Sequence, residues 1–350
     1  MTLVINGRFL SQKISGVQRV AHEISANLLK DHQNIRIIAP PNARDWPAGW
    51  PVERVGSIAG HLWEQTVLPS AAAGATLLSL CNVGPVLHRR HVVMIHDAAI
   101  YDTPENYGPA MRAAYRVILP LLGRAARRIV TVSEFSKRRL VHHGVARAER
   151  ITVSPSGIDH VLGIRPGPSV LKKYGLSQQG YVLAVGPGSQ NKNVSLVVRA
   201  LEKLGEAAPK LVLVGAGADG VFARNTNLDE GRVRSLGYLQ DADLMGLYAN
   251  ALCLAFPSRY EGFGLPPLEA MALGCPAIIS DQASLPEICG DAALICGADD
   301  VGGMATHIAS LTSDPQLRRQ MIERGYARAA TFTWDRSTRV VSRLIAEAEA

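Results

Sequence analysis

The segment Pro257-Ser-Arg-Tyr-Glu-Gly-Phe-Gly-Leu-Pro-Pro-Leu-Glu-Ala-Met-Ala-Leu-Gly274 decides how this chain is read. It follows an apolar run at 251–256, the pattern of a buried strand that leads through a loop into a helix. Pro266 and Pro267 stand where a first helical turn tolerates proline, and Gly274 fits just past the helix end. Glu261 then falls in the strand-to-helix loop, and Glu269 falls early in the helix. Gly262 and Gly264 let backbone N–H groups approach an anion closely, and the helix dipole assists. A loop carboxylate suits sugar hydroxyls, and a first-turn carboxylate suits a ribose diol. The plain alternative is a capped helix with solvated glutamates, but turn chemistry alone does not call for so many special residues in one loop.

Outward from this segment, strand-like apolar runs alternate with helical stretches. In the second half the strands read at 181–185, 210–214, 251–255 and 277–280. In the first half they read at 2–5, 35–39, 76–80, 92–95, 129–132 and 151–153, with helices expected after Gly16 and over 109–128. Such alternation predicts an α/β protein with parallel sheets covered by helices. A Gly/Pro-rich join at 154–169 separates two Rossmann-like domains, expected at 1–163 and 164–332. The last segment, 333–350, reads as an amphipathic helix. In such folds ligands bind where strands end and loops enter helices.

Composition narrows the function. The chain has 350 residues, 47% hydrophobic and 19% charged, which excludes disorder and allows two cores. A formal charge of +7 suits an acidic partner such as a nucleotide diphosphate or an anionic membrane. No basic stretch interleaved with aromatics appears, so nucleic acid is not expected. The five cysteines form no C-x-x-C pair and read as reduced core thiols. The opening MTLVINGRFL reads as a strand rather than a leader, and no apolar run is long enough to span a bilayer. A cytoplasmic protein is expected, peripheral at most on the inner face of the cytoplasmic membrane.

The Glu-x7-Glu pattern of Glu261 and Glu269 around Gly-Phe-Gly resembles the signature of retaining glycosyltransferases of family 4, which have the GT-B fold. The resemblance runs in order along the chain through Ser15-Gly16-Val17-Gln18-Arg19, Leu62-Trp63-Glu64-Gln65 with Leu68-Pro69, and Ile95-His96-Asp97. It continues through 131–137, Ser156-Gly157-Ile158-Asp159 and Asn191-Lys192-Asn193. It implies two parallel-sheet domains facing a central cleft, with 1–163 on the acceptor side and 164–332 holding the donor. Helix 333–350 would brace the first domain. The activity implied is metal-independent, retaining transfer of a hexose from a nucleotide-sugar, GDP-mannose or a UDP-sugar. The acceptor implied is a glycan or lipid-linked glycan in bacterial surface or exopolysaccharide synthesis. The nucleotide-sugar is a substrate, and no cofactor or metal is implied.

Residue by residue, the resemblance gives Glu269 the ribose hydroxyls. Glu261, with the backbone of Gly262, Phe263, Gly264 and Leu265, would hold the sugar and diphosphate. Lys192 would neutralise the leaving diphosphate, with Asn193 beside it among the donor-binding positions. His96 would approach the sugar, Gly16 would contact the donor phosphate, and Tyr238 and Leu239 would line the base pocket. The family often carries an Arg a few residues before the Lys; Gly186-Pro-Gly-Ser-Gln-Asn offers none. The loop's backbone N–H groups or Arg19 are the candidate replacements.

Three features compete with this reading. Gly215-Ala-Gly217-Ala-Asp-Gly220 fits a dinucleotide fingerprint and would suit an NAD(P)-dependent oxidoreductase, though it does not open a Rossmann unit and reads as a tight turn. Asp241-Ala-Asp243 has the spacing of metal-dependent transferases, but the apolar periodicity after it makes Asp241 an N-cap and Asp243 a first-turn acid. A catalytically idle scaffold that binds sugar-nucleotide is the third alternative. Helix 109–128 carries Arg112, Arg116, Arg124, Arg127 and Arg128, which fits either a solvated face or an anionic bilayer.

Overall fold

The computed structural model describes residues 2–32, 34–44, 46–167, 170–186, 190–215 and 232–349. They form two compact units. One runs to Gly157 and resumes at Thr333, and the other is Ile158–Phe332. The chain passes into the second unit ahead of the boundary read after residue 163. Asp159–Gly163 forms a short 3-10 turn that packs on helix Leu265–Ala272, and Ile158 N donates to Phe332 O at 3.1 Å.

The first unit holds a seven-stranded parallel sheet in the order β3-β2-β1-β4-β5-β6-β7. Its strands are β1 (Leu3–Asn6), β2 (Ile35–Ala39), β3 (Val52–Arg54), β4 (Thr76–Ser79), β5 (His91–Met94), β6 (Arg128–Thr131) and β7 (Ile151–Val153). Central strands β1, β4 and β5 are buried at every position, because parallel strands are covered by helices on both faces. The edge strand β3 is not legible from the sequence. Three half-buried or exposed residues carry no periodic signal. The last helix, Trp334–Glu349, belongs to this unit although it follows the second in sequence. It lays Trp334, Val341, Leu344 and Ile345 against helix Gly16–Asp31 and strands β4 to β6. Arg128 Nε meets Glu347 Oε2 at 2.9 Å.

The second unit holds a six-stranded parallel sheet in the order β10-β9-β8-β11-β12-β13. Its strands are β8 (Tyr181–Val185), β9 (Lys210–Val214), β10 (Val233–Ser235), β11 (Cys253–Phe256), β12 (Ala277–Ser280) and β13 (Ala293–Cys296). Both sheets reverse their winding once, between β1 and β4 in the first and between β8 and β11 in the second. At such a reversal the connections leave the sheet in opposite directions and open a crevice above the strands' carboxyl ends. The two crevices fix where chemistry is to be sought. All five cysteines are buried and unpaired, and burial pushes Cys81, Cys275 and Cys289 up to about 12, as befits inert thiols.

Candidate functional site

In the second unit, the loops after β8 and β11 meet across the reversal. Lys192 Nζ donates to Glu261 Oε1 at 2.6 Å and lies 4.6 Å from the centre of the Phe256 ring. Ser258 Oγ stands 2.6 Å from the same carboxylate oxygen and 3.0 Å from Asn191 O, so one hydroxyl proton is shared between the two loops. Arg259 N donates to Asn191 O at 2.7 Å, and Ser284 Oγ bonds the carbonyls of Glu261 and Phe263. Asn193 caps helix Val194–Leu204 with φ of 51°, in the left-handed region. Its Nδ2 donates to Pro257 O at 3.2 Å and to Ala298 O at 2.7 Å. A short asparagine side chain tolerates this backbone and ties together three loops.

Gly262, Phe263 and Gly264 are buried in the loop before helix Leu265–Ala272. Gly264 has φ of 111°, and a Cβ there would lie 2.8 Å from Leu285 Cδ2, so no other residue fits. The helix opens with proline in its first turn and closes at Gly274, with Cys275 N donating to Ala270 O at 2.9 Å. Its first turn carries no acid, and because Pro266 and Pro267 have no N–H, the free N–H groups at its start are those of Gly264 and Leu265. Glu269 lies one turn further in. Its Oε2 accepts from Tyr248 Oη at 3.4 Å, and its Oε1 lies 3.6 Å from His160 Nε2. Burial holds the Tyr248 phenol far above its ordinary range, so it is a constant donor to that carboxylate. Tyr238 follows β10 and is 70% exposed, with Leu239 half-buried beside it.

The remaining expected residues lie in the first unit. Gly16 is exposed as the first residue of helix Gly16–Asp31, whose N-cap Ser15 makes no side-chain bond to the helix backbone. His96 follows β5 and is 5% exposed. Its Nε2 donates to Leu80 O at 2.8 Å, and its backbone N donates to Asn82 Oδ1 at 2.7 Å. Burial lowers its pKa to about 4 against the Leu80 bond that opposes the shift. At neutral pH His96 is therefore an uncharged, oriented ring whose other nitrogen, Nδ1, is the acceptor.

The second half of the chain, residues 170–328, matches the model for Glycosyl transferases group 1, and residues 14–162 match the model for Glycosyltransferase Family 4. The O-antigen chain mannosyltransferase B of Escherichia coli is 36% identical over 264 residues, which cover 71% of this chain and 68% of that enzyme. The chain belongs to glycosyltransferase family 4. Solved structures bear on the fold of this family 4 glycosyltransferase. Sucrose-phosphate synthase from Thermosynechococcus elongatus superposes with a TM-score of 0.77 at 18% identity, covering 99% of this chain and 98% of that one. HepE of Anabaena, in complex with UDP and glucose, gives 0.76 at 18% identity, covering 99% of both chains. The fold is GT-B.

Sequence reading of this glycosyltransferase missed Ser258, Ser284, Tyr248 and His160. The position of Ser258, three residues before Glu261, was its available signal; the others reach the site only through tertiary contacts. The N-cap of helix Asp241–Asn250 is Gln240 rather than Asp241, and Asp243 pairs with Lys173 and accepts from Tyr174 Oη. Of the competing glycine turn, Gly215 is described, with φ of 127° and its N bonded to Gly237 O; Gly217 and Gly220 lie outside the described residues. So do three residues of the loop before Lys192, 187–189. Among the described residues, no three His, Cys, Asp or Glu side chains gather as a metal site would require.

The geometry of Asn193 separates two costs. Asn193→Gly keeps the left-handed backbone but removes the two donors, whereas Asn193→Ala also forces an alanine into that region. Chemical denaturation should show about 2 kcal/mol or more lost for Asn193→Gly and about 1 kcal/mol further for Asn193→Ala. Equal stabilities of all three proteins would contradict the role of Asn193 in tying these loops.

Proposed function

We propose that the protein transfers a hexose, with retention and without a metal, from a nucleotide-sugar to a glycan or lipid-linked glycan of a bacterial surface or exopolysaccharide. The Lys192–Glu261 pair, whose carboxylate stands in the glycine loop that leads into helix Leu265–Ala272, carries the reading. An incoming diphosphate takes Lys192 from Glu261, so the cation moves to the leaving group and the carboxylate is freed for sugar hydroxyls. The N–H groups of Gly264 and Leu265 at the helix start, which Pro266 and Pro267 cannot supplement, add to the same anion. Glu269, aligned by Tyr248, takes the ribose diol. Tyr238 and Leu239 flank the base.

Retention comes with the family. In a front-face displacement the acceptor oxygen bonds to the anomeric carbon as the carbon–phosphate oxygen bond breaks. The bonding pair stays on the diphosphate, which receives the acceptor's proton. GDP-mannose is the preferred donor because the relative at 36% identity is a mannosyltransferase; a UDP-sugar is the second candidate, since HepE is seen with UDP and glucose. The oxidoreductase and idle-scaffold readings gain no support from these relatives.

A peripheral position on the inner face of the cytoplasmic membrane belongs to the same proposal. Helix Pro109–Ala125 turns Met111, Val117 and Leu121 outward, 44%, 60% and 42% exposed, between Arg112, Arg116 and Arg124. Apolar side chains flanked by arginine suit an anionic bilayer. No described helix is long and apolar enough to cross it.

Two measurements test these statements. Thermal melting with GDP, UDP and NAD, each with and without EDTA, should show a rise with one nucleoside diphosphate that EDTA leaves unchanged. A rise with NAD alone would overturn the transferase site, and a rise abolished by EDTA would overturn metal independence. In sedimentation with lipid vesicles, the protein should follow phosphatidylglycerol vesicles at low salt, less so at high salt, and Val117→Asp should stay in the supernatant. Equal recovery with neutral vesicles would remove the membrane contact.

A further inference from the structure

The motif Leu62-Trp63-Glu64-Gln65 has no part in the donor chemistry, yet it builds a charged cluster over the carboxyl ends of β1 and β4 in the first unit. Glu64, on helix Gly60–Thr66, is fully buried. Its Oε1 accepts from Asn6 Nδ2 at 2.7 Å, and Asn6 also reaches Ser79 Oγ at 3.2 Å. Its Oε2 accepts from His61 Nδ1 at 2.9 Å and lies 2.8 Å from Arg8 Nε, whose N–H is not aimed at it. Arg8 is 6% exposed, and among the described residues its terminal nitrogens have no hydrogen-bond partner. The His61 side chain is 38% exposed, packs edge-on to Tyr115 at 5.8 Å, and leaves Nε2 without a partner among the described residues.

Fold stability does not account for this arrangement. A buried guanidinium–carboxylate pair stabilises no better than apolar residues of similar volume, because both ions lose their hydration. The cluster does fix geometry. Glu64 Oε2 lies 2.9 Å from His61 Nδ1 and 2.8 Å from Arg8 Nε, so the carboxylate holds the Nδ1 side of the ring and leaves Nε2 as the nitrogen open to a ligand beside the Arg8 guanidinium. An imidazole nitrogen beside guanidinium donors matches a sugar hydroxyl, which both gives and takes a hydrogen bond. The opposite charges of Arg8 and Glu64 cancel, so a phosphate gains little here and a neutral polyol is favoured. The Tyr115 ring beside His61 offers an apolar face for the C–H side of a sugar.

We propose that His61 and Arg8 form an acceptor-sugar subsite for a neutral, hydroxyl-bearing residue, with Glu64 and Asn6 as positioning residues. This rests on the transfer reading above and assigns its acceptor a chemical class and an address. The crevice at the β1/β4 reversal is where a parallel sheet of this winding takes its ligand.

The experiment is ligand-observed NMR titration of mannobiose on wild type, His61→Ala and His61→Gln, with GDP and UDP titrated into the same samples. His61 is exposed enough to be replaced without opening the core, and glutamine restores a hydrogen-bonding group. The expected result is mannobiose affinity lowered about tenfold in His61→Ala and largely kept in His61→Gln, with nucleotide affinity equal in all three. Equal mannobiose affinity in wild type and His61→Ala, or no mannobiose binding by wild type, would overturn the subsite. Absence of nucleotide binding by wild type would instead count against the transfer reading.

Discussion

Lys192 and Glu261 meet at 2.6 Å because the second sheet reverses its winding between β8 and β11. A parallel sheet wound in one direction would carry those two loops away side by side; the reversal leaves them facing. Three side chains hold those loops in place. Asn193 ties the β8 loop to Pro257 and Ala298, Ser258 bridges to Asn191, and Ser284 holds the carbonyls on either side of Gly262. The pair is partly buried, with 22% and 16% of the two side chains exposed, so its charges are strongly felt yet open to exchange. Under the proposed function, such a pair would hold a cation for the leaving group without leaving it unpaired before the donor binds.

The first unit uses burial differently. His96 is stripped of charge by its surroundings and oriented by Leu80, so it offers a fixed dipole rather than a cation. His91, deeper in the sheet, is lowered to about 3 by the same cause and bonds Ser79 Oγ. Both rings have pKa values depressed below those of an unfolded chain. Their contribution to stability is therefore present above about pH 6.5 and is lost as pH falls toward about 4 and 3. The Arg8–Glu64 cluster is the opposite case, in which charge is kept inside and balanced by its own partner.

Much of this was legible in the sequence. Apolar runs at 2–5, 35–39 and 76–80 match β1, β2 and β4, and 181–185 and 210–214 match β8 and β9, because strands covered on both faces are mostly apolar. Of the edge strands, β7 was read at 151–153 from its apolar ends, whereas β3, β10 and β13 were not, since their three or four residues carry too few buried apolar positions to leave a pattern. The loop–helix order around Glu261 and Glu269 followed from Pro266, Pro267 and Gly274, whose backbone demands are local. What the sequence withheld was long-range: that Lys192 finds Glu261 across 69 residues, that His160 and Tyr248 converge on Glu269, and that Glu64 collects Asn6 and Arg8. Each of these depends on strand order, which no local signal encodes. Gln240 displaced Asp241 as a cap because one residue of register lies within the ordinary uncertainty of helix ends.

The exchange of Lys192 between Glu261 and the donor diphosphate is most directly tested by calorimetric titration. A nucleoside diphosphate and its sugar conjugate, of whichever base the wild type binds, would be titrated into wild type, Lys192→Met and Glu261→Gln. The account predicts at least about tenfold weaker binding of both ligands to Lys192→Met, since a charge-assisted hydrogen bond is lost in each. Glu261→Gln should weaken only the sugar conjugate. Unchanged affinity of Lys192→Met for both ligands, or equal weakening of both by Glu261→Gln, would contradict it.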